Sequence, residues 1–297
     1  VSATYLDRLA DRSAAAGTVL CLGIDPDPAA LPDGFGADLA GVEAFARLLL
    51  DAAAPFAAAV KPNLAFFEAF GSPGLAAFER LRAAVPAGIP VVIDAKRGDI
   101  GTTSARHAAA LYDALGADAI TISPYLGEEA IRPLLERADR LAYVLCRTSN
   151  PGAGELQNLH VEAADGRPSE PLWARVAARA ATWGPGGTVG LVVGATAPRE
   201  LEAIRQVAPG LPLLVPGVGA QGGEADAVLA AGPATAPPAG PPEDRSGGGL
   251  LVNVSRGIAS AATDGGPSDG PPGVATDLGE RLAERARSWA ARLPVLR

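Results

Sequence analysis

Asp94, Lys96 and Asp99 stand in the run Asp94-Ala95-Lys96-Arg97-Gly98-Asp99-Ile100, directly after Pro90-Val91-Val92-Ile93. The β-branched run reads as a strand covered on both faces, so the charges fall at its carboxyl end. Side chains alternate along a strand, which turns Asp94 and Lys96 one way and Ala95 the other. Charges in such a place are costly unless they pair or do chemistry. A structural ion pair is the plain reading of Asp-x-Lys. The second acid, three residues on at the start of a helix, shifts the reading toward chemistry.

The elements that hold these residues alternate. Strand-like runs fall near 18–24, 56–61, 90–95, 117–122, 141–146, 188–193, 211–215 and 250–254. Helical periodicity lies near 41–54, 74–84, 102–115, 127–138, 172–182, 197–207, 223–231 and 275–293, with one more helix opening the chain. Eight such units imply an α/β fold with a parallel sheet, and their number favours a closed (β/α)8 TIM barrel spanning 1–297. An open doubly wound sheet is the alternative, but no glycine-rich dinucleotide loop follows the first strand. Two stretches interrupt the pattern. Residues 233–249 read as a flexible Pro/Gly-rich excursion that can be deleted from Ala234 to Ser246, and 264–273 as a polar loop. Asn150 to Glu170 is a long polar connection of the kind that forms lids.

Composition narrows the function. Of 297 residues, 48% are hydrophobic and 20% charged, which fits a compact protein, and a net charge of −8 argues against nucleic acid as a partner. No apolar run approaches the length of a membrane span, and Asp7, Arg8, Asp11 and Arg12 break any signal-peptide pattern at the start. The two cysteines, Cys21 and Cys146, sit in apolar strands and read as core residues suited to a reducing cytoplasm. His107 and His160 read as ordinary structural or surface residues, and Glu68 as an acid facing solvent.

In a barrel the site forms at the carboxyl ends of the strands. Those ends carry Asp25, Lys61, Asp94 and Lys96, then Arg147-Thr148-Ser149-Asn150, the loop Pro216 to Gly223, and Asn253-Val254-Ser255-Arg256-Gly257. Gly217, Gly219 and Gly222 form G-x-G-x-x-G after strand seven. The place is wrong for a dinucleotide fingerprint, so a backbone cradle for phosphate or a plain tight turn remains. Arg256 would add a charged fork to the phosphate reading.

The motif Asp94-x-Lys96-x-x-Asp99-Ile100, the strand-one Asp25, Lys61 in VKPNLAFFEAFG, TSNPGAGELQ, PGVGAQGG and Arg256 in VSRGI resemble the orotidine 5′-phosphate decarboxylase family, in its longer bacterial branch. The resemblance covers residues 18 to 260. It implies that Asp25 and Lys61 bind ribose hydroxyls and that Lys61, Asp94, Lys96 and Asp99 form an alternating charged chain. Ser149 would hydrogen-bond the pyrimidine amide edge. Gln221 and Arg256 would hold the 5′-phosphate, with backbone amides at Gly217 and Gly219. Asp99, Ile100 and Thr103 would reach the site of a second subunit in a homodimer. The implied reaction uses no cofactor and no metal. Ser255 departs from the family, many of whose members have glycine before the arginine. Two other readings remain open at this level: a metal-dependent sugar-phosphate decarboxylase or synthase on a related barrel, and a non-catalytic phosphate-binding barrel.

Overall fold

The computed structural model describes residues 3–162, 168–219, 221–236, 246–263 and 274–295. Eight strands form one parallel sheet: β1 (Leu20–Ile24), β2 (Ala59–Pro62), β3 (Val92–Arg97), β4 (Ala119–Ile122), β5 (Leu141–Arg147), β6 (Val189–Val193), β7 (Leu213–Pro216) and β8 (Leu250–Val254). Neighbours run β2-β1-β8-β7-β6-β5-β4-β3. The two ends meet through parallel bridges Val60–Val91 and Asn63–Asp94, with Val60 N–H donating to Pro90 O at 3.0 Å and Leu64 N–H to Asp94 O at 3.2 Å. The sheet therefore closes on itself, as the alternation of elements predicts.

Strand parity explains both the core and the site. Outward residues such as Leu20, Leu22, Val91, Ile93 and Ile120 pack under the helices. Inward residues Cys21, Ala59, Val92, Ala119, Tyr143, Val192, Leu214 and Leu251 fill the barrel, which Tyr5, Leu6 and Leu9 of the first helix (Tyr5–Ala16) close from below. Two residues further along β2, β3 and β4, the same parity delivers Lys61, Asp94 and Thr121. An apolar floor thus carries a polar mouth, and Cys21 and Cys146 are buried as expected, with burial pushing both thiols up to about 12.

The helices fall where the periodicity puts them, from Leu39–Ala53 to Val274–Arg292. After β3 the helix Gly101–Ala108 continues as a π-turn over Ala109–Ala114. The connection after β5 is more ordered than a polar lid: it holds a helical turn, Gly154–Gln157, and a small antiparallel pair, His160–Val161 with Glu170–Pro171.

The excursion before β8 is a partial correction. Its described ends are anchored: Ala234 N–H donates to Gly248 O (3.0 Å), Thr235 and Ala236 N–H to Pro209 O (2.9 and 3.2 Å), and Gly247 is buried against Ser13 and Val19. These ends lie at the start of β8, the opposite end of the strand from Arg256. Residues 237–245 and the predicted polar loop 264–273 lie outside the described residues. No helix among the described residues is long and apolar enough to cross a membrane.

Candidate active site

Three strands converge on one carboxylate. Lys61 Nζ on β2 donates to Asp94 Oδ2 at 2.8 Å, Lys96 Nζ to Asp94 Oδ1 at 2.6 Å, and Thr121 Oγ1 on β4 to Asp94 Oδ1 at 2.8 Å. Lys61 is 4% exposed, while the Lys96 side chain is 51% exposed and opens to the mouth. Burial opposes the Lys61 charge, but Asp94 and Asp25 outweigh it and hold the ammonium above the ordinary lysine range. Burial also opposes ionisation of Asp94, and Lys61 and Lys96 reverse the balance, holding the carboxyl well below the usual carboxylate range. Lys61 and Asp94 are therefore both charged at neutral pH.

The convergence of Asp94 and Lys96 does not come from simple alternation. Strand β3 continues to Arg97, and its register against β4 shifts between Ile93 and Arg97. Lys96 sits at φ 47°, the one positive-φ residue other than glycine among the described residues. Thr121 Oγ1 accepts from Ala95 N and Lys96 N, each at 3.1 Å, and so holds this bulge while it binds Asp94. Strain of this kind persists only where the surroundings over-determine it. Thr121 looked like an ordinary residue of a buried Ala-Ile-Thr-Ile strand; its hydroxyl was the only signal.

A cavity of about 420 Å³ opens above the cluster, lined by Lys61, Asp94, Lys96 and Thr121 on one side and by Thr148, Ser149, Asn150 and Gln157 on the other. The loop after β5 is tied by Gln157, which accepts from Thr148 N (2.9 Å) and donates to Thr148 Oγ1 (2.8 Å); Thr148 Oγ1 in turn donates to Asn150 Oδ1 (2.6 Å). Gln157 is a second residue the sequence reading missed, although it ends the TSNPGAGELQ segment. A Cβ at Gly217 would stand 2.9 Å from Gln221 Oε1 and 3.2 Å from Ser149 Cβ, so glycine there lets Ser149 and Gln221 approach one another. Asp25 Oδ1 and Asn253 Oδ1 are buried without a hydrogen-bond partner among the described residues.

The loop expected to cradle phosphate needs one correction. Gly219 N–H donates to Gly223 O (3.1 Å), Gly222 N–H to Gly219 O (2.8 Å) and Gly223 N–H to Gly217 O (3.1 Å), so Gly219 does not offer its amide to an anion. The loop closes on itself because its glycines adopt positive φ. The donors left facing outward come from β8: Arg256 is exposed, and its guanidinium has no ion pair among the described residues. The amides of Arg256 and Gly257 open the short helix Arg256–Ala259, where helical geometry leaves N–H groups without an internal partner. A Cβ at Gly23 would come within 2.6 Å of the Ser255 Cβ, so glycine on β1 leaves room for Ser255 just beyond β8.

Asp99, Ile100 and Thr103 do not join the cluster within this chain. Asp99 Oδ1 accepts from Ile100 N at 2.7 Å, its carbonyl from Ser104 Oγ at 2.6 Å, and Ile100 is 60% exposed. Thr103 is half-buried in the first turn of its helix. Glu68, expected to face solvent, pairs with Arg97. His160 is exposed and His107 half-buried, and no group of His, Cys, Asp and Glu among the described residues is arranged to hold a metal ion.

The described residues thus form a parallel eight-stranded barrel with a Lys-Asp-Lys cluster at its mouth and an exposed arginine just after its last strand. Residues 18–266 match the family described as orotidine 5′-phosphate decarboxylase / HUMPS. An orotidine 5′-phosphate decarboxylase of Thermomicrobium roseum is 43% identical over 98% of this chain and 93% of its own length. Another, of Haloarcula marismortui, is 48% identical over 88% of each chain. Among solved structures, the Leishmania donovani OMP decarboxylase superposes with a TM-score of 0.73 at 38% identity, covering 96% of this chain and 99% of that one. The chain belongs to the orotidine 5′-phosphate decarboxylase / HUMPS family.

Proposed function

We propose that this chain decarboxylates orotidine 5′-phosphate to uridine 5′-phosphate in pyrimidine biosynthesis, as a carboxy-lyase. The relatives above, matched over most of their length, are both named orotidine 5′-phosphate decarboxylase. The observation that carries the reading is the Lys61-Asp94-Lys96 cluster at the cavity floor. In the reaction the bond from C6 to the carboxylate breaks, CO2 leaves, and the electron pair remains on C6 as a vinyl carbanion. Lys96 faces that carbon as an ammonium and then transfers its proton to it. Asp94 holds Lys96 and repels the substrate carboxylate. Two unit charges about 4 Å apart interact by roughly 4 kcal/mol at an effective dielectric near 20, about three powers of ten in rate. Repulsion alone is therefore too small, and contacts to ribose and phosphate must do much of the rest.

Asp25 and Lys61 are assigned to the ribose, Ser149 to the pyrimidine edge, and Gln221 and Arg256 to the 5′-phosphate. Asp99, Ile100 and Thr103 are assigned to the partner's site in a homodimer. Their support is that Asp99 makes no bond to its own cluster and that Ile100, Tyr125 and Leu126 expose apolar surface on the same rim. A cytoplasmic setting fits the two buried thiols.

A spectrophotometric assay with orotidine 5′-phosphate, with and without chelator, tests the activity. Turnover of orotidine 5′-phosphate that survives chelation supports this reaction and excludes the metal-dependent alternative; absence of turnover both with and without chelator would overturn the reading. Lys96→Ala should abolish turnover and leave the fold intact, since its side chain is half exposed. Retention of more than roughly a tenth of wild-type kcat, about 1.4 kcal/mol in the barrier, would remove Lys96 as proton donor.

A further inference from the structure

Trp289, on the C-terminal helix Val274–Arg292, has no part in the chemistry above, yet its indole is wedged behind both loops of the phosphate end. A Cβ at Gly219, in the loop after β7, would stand 2.9 Å from Trp289 Cη2. A Cβ at Gly257, beside Arg256, would stand 3.2 Å from Trp289 Cζ2 and Nε1. The ring therefore lies flush against the backbone of both loops, at the two points where only glycine leaves room for it. Its Nε1–H donates to Gly257 O at 3.0 Å, and Arg285 Nη1 donates to the same carbonyl at 3.4 Å. The Arg292 guanidinium covers the ring 4.3 Å from its centroid. Trp289 is 6% exposed, so this large ring is fixed on every side.

Buried aromatic rings are rigid and contribute mainly through area and one directed polar group. Here the area touches Gly219 and Gly257, and the polar group fixes the peptide that follows Gly257. Arg256 precedes that peptide, so tilting it would re-aim both the Arg256 side chain and the amides of Arg256 and Gly257. We propose that Trp289 is a positioning residue that sets the two phosphate loops, and with them Arg256, for the 5′-phosphate of the substrate. This rests on the assignment of Arg256 to phosphate made above. It also gives Gly219 a role that its occupied amide denies it: Gly219 is glycine to admit the indole, not to approach the anion.

The test compares a nucleoside 5′-monophosphate, uridine 5′-phosphate, with uridine on wild-type, Trp289→Phe, Arg256→Ala and the double variant. Trp289→Phe keeps an aromatic ring in the core but removes the donor to Gly257 O and the distal part of the wedge. It should weaken nucleotide binding by roughly fivefold or more and uridine binding by less than about twofold, and raise KM more than it lowers kcat. In the Arg256→Ala background the same change should cost less than about twofold, because the effect acts through the arginine. A merely structural tryptophan would lower Tm and affect both ligands alike, and that result overturns the proposal. So does discrimination by Arg256→Ala without discrimination by Trp289→Phe. Equal loss of both ligands in Arg256→Ala overturns the phosphate assignment itself and takes the proposal with it.

A second readout leaves position 289 unchanged. The chain has three tryptophans, so Trp173→Phe with Trp183→Phe isolates Trp289. Its emission should shift on adding uridine 5′-phosphate and not on adding uridine. An identical response to both ligands counts against the proposal.

Discussion

Asp94 receives hydrogen bonds from three strands, and its partners are unequal: Lys61 is buried, Lys96 half exposed, and Thr121 neutral. Thr121 also accepts the two amides of the β3 bulge. Thr121→Val keeps the shape and leaves Ala95 N and Lys96 N without that acceptor. A loss of about 1–3 kcal/mol in stability is expected, with a larger fractional loss in kcat than in substrate affinity, because Lys96 is displaced. Denaturant unfolding and steady-state kinetics check both; an unchanged kcat would show that the bulge does not need Thr121. The charges also set a pH window. The depressed Asp94 contributes stability above the unfolded carboxyl value near 3.9 and loses it as pH falls through its lower folded value. The raised Lys61 contributes fully below the unfolded lysine value near 10.4 and loses it as pH rises through its higher folded value. Between about pH 5 and 9 neither group titrates, so Tm should show no inflection from them. An inflection there that vanishes in Asp94→Asn would contradict the assignment.

At the scale of elements, β2, β3 and β4 supply the Lys61-Asp94-Lys96-Thr121 cluster, and the connections differ in which end of the barrel they serve. The connection after β5 serves the mouth through Gln157, whereas the one before β8 begins and ends near the floor. Ala234 to Ala236 and Gly247 are bound, so only 237–245 can be exchanged without breaking described contacts. Replacing 237–245 with a short Gly/Ser linker should leave kcat/KM within about twofold and Tm nearly unchanged, because doubling or halving a loop alters closure by only about 0.6 kcal/mol. Deletion that also takes Ala234 to Ala236 should lower Tm. A folded linker variant with a large drop in turnover would show that the segment reaches the cavity.

The proposed dimer belongs to the whole molecule. Asp99 follows β3 beyond Gly98 and accepts from Ile100 N rather than from its own Lys96, beside the exposed Ile100. Asp99→Asn and Lys96→Ala proteins should each be nearly inactive. Mixed and reassociated, they should recover activity, since one site of each hybrid then has both residues intact. Random pairing makes half of the dimers hybrid, so recovery should approach about a quarter of wild-type sites across a shared isologous interface. Absence of recovery despite proven subunit exchange would place Asp99 in its own subunit's site.

The sequence by itself determined the barrel and the identity of most of its mouth. Buried parallel strands are β-branched runs bounded by polar residues, and that pattern is local, so all eight were legible from Val91-Val92-Ile93 and its counterparts. Asp94, Lys96, Lys61 and Arg256 were legible because charge at the end of an apolar run is conspicuous. The tertiary structure decided what depends on contacts between distant residues. Thr121 becomes a partner of Asp94 only when β4 pairs with the bulged β3, and nothing in Ala-Ile-Thr-Ile announces it. Gly219 looked like a phosphate amide because its spacing was right, but the loop folds back and uses that hydrogen bond itself. Trp289 lies far from Gly219 in the chain, and only the docking of the last helix brings the ring behind the loop. Period and charge are properties of a segment and can be read along the chain; which hydrogen bond is already occupied, and which ring fills the space behind a glycine, are properties of the packed molecule.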